Sequence, residues 1–156
     1  MEYRVIIKNP DGSVGILVPS PKAGITLDEI IAKDVPSGAV HEVVPLGVVP
    51  TDRTFRNAWQ HDLTVDMPKA RVIWEDKLRE DRKAVLADLD VDYQRADEAG
   101  DQAEKARIAA LKTTLRDAPA DPRIAAATTP EELKAADVVA EVVAQRVKVT
   151  KAVPLG

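Results

Sequence analysis

The chain has 156 residues, 22 basic against 26 acidic side chains, a formal net charge of −4, no cysteine, and only Tyr3, Phe55, Trp59, Trp74 and Tyr93 as aromatics. That balance offers no broad positive field to a phosphate backbone, which argues against a nucleic-acid role. The lack of Cys removes disulfides, thiolate chemistry and Cys-based zinc sites together.

The length suits one ordinary domain, or a small domain with a helical appendage, and the core must come almost entirely from Val, Leu, Ile and Ala. No stretch approaches the roughly 20 apolar residues that span a bilayer. The apolar run in Met1–Ile7 is too short for a signal peptide. The expectation is a soluble, non-secreted protein.

Tyr3–Lys8 reads as a strand, Asn9-Pro10-Asp11-Gly12-Ser13 as a turn and Val14–Val18 as the returning strand. Thr26 begins a short helix with Glu29 as its capping-box partner and Leu27, Ile30 and Ile31 as its apolar side. Ala39–Val44 reads as a third strand, closed by Pro45 and Gly47. The expected first domain, residues 1–61, is therefore a small sheet with one helix across a face. Asp52–Trp59 reads as a helical turn or ordered loop that holds Phe55 and Trp59 on one side. Those two rings either close the small core or anchor a partner, since buried aromatics commonly dominate interface energies.

Residues 62–117 predict a helical hairpin. Pro68 suits a first helical turn, and the apolar stripe from Ala70 through Trp74, Leu78, Val85, Leu89 and Tyr93 to Ala96 keeps a helical period. Gly100 ends that helix. Asp101 starts a second, shorter one with Ile108, Leu111 and Leu115 on its apolar edge, so the pair folds back antiparallel. A helix over 68–98 is about 45 Å long and overhangs its mate. The overhang is expected to meet the first domain, another copy or a partner.

Residues 118–156 read as a rigid link, a turn at Ile124–Ala127, and a helix over 130–145 started by Thr129-Pro130-Glu131-Glu132. From Gln145 the pattern changes to alternation, with Val147 and Val149 in an extended, valine-rich arm that offers an unpaired edge. The fold class expected is thus α+β: a small β-hairpin or sheet domain, a long antiparallel helical hairpin, and a C-terminal helix with an extended arm.

Chemistry-bearing patterns are sparse. His41 and His61 have no metal-ligand spacing around them and read as ordinary surface or core histidines. Ser13, Ser20 and Ser37 sit in turn-like surroundings without a nucleophile elbow, and there is no phosphate loop. Asp88, Asp90 and Asp92 lack the glycine and terminal glutamate of a calcium loop and continue a helix. The reading is non-enzymatic, with no catalytic, metal or cofactor site. The candidate partner-binding residues are Arg53, Phe55, Trp59, Trp74, Val147 and Val149.

Four stretches carry a family resemblance: V-P-T-D-R-T-F-R-N-A-W over Val49–Trp59, M-P-K-A-R-V-I-W-E-D-K-L-R-E-D-R from Met67, L-D-V-D-Y-Q-R-A-D-E-A-G-D from Leu89, and L-R-D-A-P-A-D-P-R-I-A-A-A-T-T-P-E-E-L-K-A from Leu115. Together, over about residues 26–135, they resemble small accessory proteins of tailed-phage and prophage tail gene clusters. The resemblance implies a structural protein near the tail fibres or baseplate, assembled in the host cytoplasm and located in the virion tail. Its partners would be tail fibre or baseplate proteins, with homo-oligomerisation a further option. The alternatives are a transient tail fibre assembly chaperone and a soluble adaptor for a host protein. Arg53, Phe55, Trp59, Tyr93 and Leu115 match recurrent positions of the family and are expected to shape fold or interface. The family's chains typically stop soon after the Glu131–Ala135 region, whereas this one continues through Val138–Gly156.

Overall fold

Strand β1 (Tyr3–Lys8) is the middle of a three-stranded antiparallel sheet, with β2 (Val14–Leu17) on one side and β3 (His41–Pro45) on the other. This is a computed structural model, and it describes residues 2–20 and 24–150, with side chains to residue 147. The chain divides into two compact units, Met1–Ala70 and Arg71–Gly156.

In the first unit the hairpin turn is fixed locally. Gly12 takes a φ of 83°, and the Asp11 carboxylate accepts from the Ser13 backbone N–H at 2.9 Å and from its hydroxyl at 2.6 Å. The resulting register pairs Ile6 with Ile16 and Arg4 with Val44. Because strand residues alternate between faces, Ile6, Val14, Ile16 and Val44 share one face. Val49, Trp59, Leu63 and Val65 pack against it. The segment that supplies this cover contains a 3-10 turn at Arg56–Ala58 and a bridge between Trp59 and Val65. Helix α1 (Leu27–Asp34) starts at Thr26, with both halves of the expected capping box formed. None of its residues is fully buried.

The second unit is helical. The long helix α2 (Met67–Glu98) turns back through Ala99 and Gly100, which sits at a φ of 67°. Asp101 caps α3 (Gln102–Asp117) by accepting from the Glu104 N–H at 3.0 Å. Lys105 pairs with Asp97, Lys112 with Asp90 at 2.5 Å, and Arg82 donates to the Leu115 and Arg116 carbonyls. These pairings fix the antiparallel hairpin. Short helices α4 (Pro122–Ala126) and α5 (Pro130–Ala135) follow, then α6 (Val138–Thr150).

Helix α6 lies along α2 in the same direction. Near its start Trp74 Nε1 donates to the Ala136 carbonyl at 3.0 Å, and further along Arg146 reaches Asp92 at 2.7 Å and Asp88 at 3.3 Å. It also packs against α3. Leu78, Leu89, Ile108, Leu111, Leu115, Leu133 and Val142 are buried in this unit. Removing each such side chain from water stabilises by about 1.5–3 kcal/mol before conformational entropy is set against it.

Three expectations need correction. The helix expected over 130–145 is two helices, broken at Ala136, whose φ of −82° and ψ of 58° leave the helical region. Asp137 then restarts the chain by accepting from the Ala140 N–H at 3.0 Å. The overhang of α2 is covered within its own unit: Arg71 donates to the Ala127 carbonyl at 2.8 Å, and Trp74 to that of Ala136.

The extended arm from Gln145 is helix as far as Thr150, so Val147 and Val149 are helical positions; residues 151–156 of the arm lie outside the described residues. Alternating valines favour a strand weakly, and the Arg146 contacts with α2 outweigh that preference.

Candidate functional site

Of Arg53, Phe55, Trp59, Tyr93 and Leu115, three are buried, each inside its own unit: Phe55 and Trp59 in the first and Leu115 in the second. Trp59 is 5% exposed and closes the sheet face, with the Arg53 guanidinium 5.3 Å from its ring centroid. Phe55 is buried, and Leu115 is fully so. Tyr93 lies between Lys105 and Lys112, each ammonium 5.4 Å from its ring centroid.

Trp74, at 3% exposed, is interior as well. Of the six candidate partner-binding residues, then, Phe55, Trp59 and Trp74 are covered in the folded chain. Arg53 is exposed beside Trp59. Val147 is an exposed helical residue, and the Val149 side chain lies outside those described.

The acidic triplet of α2 is divided by helical geometry. Asp88 and Asp92, four residues apart, both face Arg146, whereas Asp90 pairs with Lys112 on another side. Among the described residues no group of three His, Asp or Glu converges as a metal site. The His41 ring sits 3.2 Å from the Ala39 carbonyl, and His61 Nδ1 is enclosed without a protein partner. No helix among the described residues is long and apolar enough to cross a membrane.

Among the described residues, exposed apolar side chains include Val72 and Val91 on α2 and group in three further places. A groove of about 470 Å³ in the first unit is lined by Tyr3, Val18, Pro19, Ile25, Leu27 and Ile30, with Glu2, Arg4 and Ser20 beside them. The edge strand β3 has no strand partner on its outer side among the described residues. It is flanked by exposed Val40, Leu46 and Val48, and carries the partly exposed Val43. On α6, Val143 and Val147 face outward.

Val40 falls within the Ala39–Val44 stretch expected as a strand and Val143 within the helix expected over 130–145, and both side chains are exposed. The available signal was the long excess of valine over polar residues at 138–149, more than one buried face requires.

One electrostatic pin joins α4 to α6. Arg123 binds Asp121 through Nε and Nη2, the latter at 2.8 Å, and reaches Glu141 through Nη1 at 2.8 Å. The Arg123 hydrogen bonds hold the Asp121 carboxyl below the usual aspartate range, its backbone N–H assisting, and burial opposes them only in part.

A carboxylate whose pKa is lower in the folded chain adds stability that is complete above its unfolded value, near about 4. That share is lost as pH falls through the folded value. Calorimetry across the acid range is expected to show a falling thermal midpoint, and Asp121→Asn a shallower fall. An identical slope in both proteins would assign the acid lability elsewhere.

Comparison of the chain with protein-family models, with curated proteins and with solved structures finds no match to any of the three.

Proposed function

We propose that this chain is a non-enzymatic structural protein of a phage tail, docking tail fibre or baseplate components through protein–protein contacts. The observation that carries this reading is the open edge of β3, where apolar residues flank unpaired backbone. An edge of that kind accepts a strand from another chain, with backbone hydrogen bonds giving affinity and side-chain pockets giving specificity. The resemblance of residues 26–135 to tail-cluster proteins supplies the setting. The buried places of Phe55, Trp59 and Leu115 suit a scaffold whose recurrent residues maintain shape while its edges vary.

The test is mass spectrometry of gradient-purified particles from the source of the gene, with copy number per particle. Stoichiometric incorporation is expected, falling at least about tenfold in a Val40→Lys/Val48→Lys double variant, because charges at a strand edge oppose strand addition. Abundance in the lysate with absence from particles would replace the connector by a transient assembly chaperone. A gene neighbourhood without tail genes would sink the tail setting altogether.

A further inference from the structure

The two edges of the three-stranded sheet differ in what their backbones offer. Along an antiparallel strand, residues alternate between bonding one neighbour and facing the opposite side. Asn9 N–H donates to the Ser13 carbonyl at 2.9 Å, so Gly15 and Leu17, in the same phase, bond to Ile7 and Val5 of β1. Val14, Ile16 and Val18 therefore turn their N–H and C=O groups outward. None of the three makes a backbone hydrogen bond beyond the sheet to another described residue. On the other edge, Lys8 N–H donates to the Val40 carbonyl and Leu46 N–H to the Glu2 carbonyl, which leaves His41, Val43 and Pro45 facing out of β3.

Strand β3 does not match itself. A two-fold axis through Val43 sets the His41 carbonyl against Pro45, which has no N–H to donate. An axis through Glu42 sets Glu42 against Glu42, and like charges directly opposite destabilise a strand pair. Strand β2 meets neither obstacle. Val14-Gly15-Ile16-Leu17-Val18 contains no charge and no proline, the residues that ordinarily blunt an edge.

Gly15 is a second, independent sign. Its φ is not positive, and a Cβ there would meet Ile7 Cβ at 3.7 Å and Asn9 Oδ1 at 3.8 Å, both ordinary contacts. The packing of the single chain thus does not require glycine. A glycine inside a strand that its own fold does not need marks a place where another backbone approaches closely.

We propose that β2 pairs with β2 of a second copy of this chain, antiparallel about a two-fold axis at Ile16, so that one sheet runs through both. Val14 of each copy then exchanges backbone hydrogen bonds with Val18 of the other, Ile16 does so with Ile16, and Leu17 lies across from Gly15. Every outward N–H and C=O of the strand finds a partner, and the contact is self-complementary, as a two-fold interface requires. A seam from Val14 to Val18 is about 17 Å long. That places it at the low end of specific interfaces, so the dimer forms in a concentration-dependent way. The pairing uses the edge opposite β3: particle incorporation and self-association can each fail without the other.

Sedimentation equilibrium of the full chain over roughly 1–200 µM is expected to show the 16.9 kDa monomer passing to twice that mass. Amide hydrogen exchange read by NMR locates the seam. Gly15 and Leu17 should be protected at every concentration, and Val14, Ile16 and Val18 only where the dimer forms. Val18→Pro supplies the mutational arm. Val18 is 58% exposed and its N–H is unused within the sheet, so the dilute variant should keep its thermal midpoint. In a paired strand proline removes a donor and is not accommodated, so association should weaken at least about tenfold. The exchange pattern is read on the unaltered chain and decides even where the variant folds poorly. A monomer throughout the range, a dimer indifferent to Val18→Pro, or a dimer in which the three outward amides exchange as fast as in the monomer would each overturn the proposal.

Discussion

Replacing Trp74 by alanine is expected to remove about 3–5 kcal/mol of stability. The side chain is 3% exposed, and its indole N–H donates to the Ala136 carbonyl at 3.0 Å. That carbonyl belongs to the residue that breaks α5 from α6, so the bond anchors the point where the chain changes direction. The alanine variant loses the ring's burial and leaves a cavity, and the Ala136 carbonyl is also left without its donor.

Trp74→Phe separates the two contributions. Phenylalanine keeps most of the apolar volume, so its cost is expected to be nearer the 1–3 kcal/mol of an unsatisfied buried polar group. Chemical denaturation of the three proteins decides the matter. A Phe variant as damaged as the Ala variant would mean that the hydrogen bond, rather than the packing, holds the break between α5 and α6. Domains of this kind have total stabilities of only about 5–15 kcal/mol, so the alanine variant is expected to lose a large share of its unit's stability.

The local punctuation of this fold was legible because it depends on short-range chemistry. Asp11-Gly12-Ser13 specifies its own turn, Thr26 and Glu29 their own cap, and Ala99-Gly100-Asp101 the reversal between α2 and α3. The 32 residues of α2 carried a helical stripe long enough to survive polar interruptions such as Lys77 and Asp81, which pair with each other on the surface.

The residues after Glu132 were harder, because their conformation is set by distant partners. Leu133, Ala136 and Val138 are compatible with one continuous helix. The break between them exists where Ala136 turns its carbonyl to Trp74, 62 residues away in sequence. The same holds for Gln145–Thr150, where β-branched valines alternate but Arg146 is drawn onto Asp88 and Asp92. Helix propensity differences among these residues amount to a few tenths of a kcal/mol each. A charge-assisted contact between elements is worth more than that.

The candidate site was legible only in part, for a related reason. A buried anchor and an exposed anchor have the same residue type, and Phe55, Trp59 and Trp74 were selected on type. Which valines remain outside depends on how many helix faces the chain itself covers, and no local pattern counts those.

Trp59 is the site of the second large effect, in the first unit. Ile6, Val44 and Val49 form a buried cluster with it, and Val14, Ile16, Leu63 and Val65 pack at the margins. A three-stranded sheet whose strands are only 6, 4 and 5 residues long has little else to close that face. Trp59→Ala is therefore expected to cost about 3–5 kcal/mol. The loss should be felt at Leu63, whose φ of 64° is a strained conformation for a branched side chain and persists only while packing holds it.

Arg53 contributes less. Its guanidinium lies over the ring at an exposed position, where such contacts are worth about 0.5–1 kcal/mol, so Arg53→Ala is expected to be mild. Each unit contains a single tryptophan, which makes the measurement selective. In a Trp74→Phe background the remaining fluorescence reports Trp59 alone, and its unfolding can be compared with and without Arg53. If Arg53→Ala proved as costly as the loss of the ring, the arginine would be the structural keystone and the indole its support. The expected order, with the ring dominant, follows from burial: the arginine stays in water, where charge is screened, and the tryptophan does not.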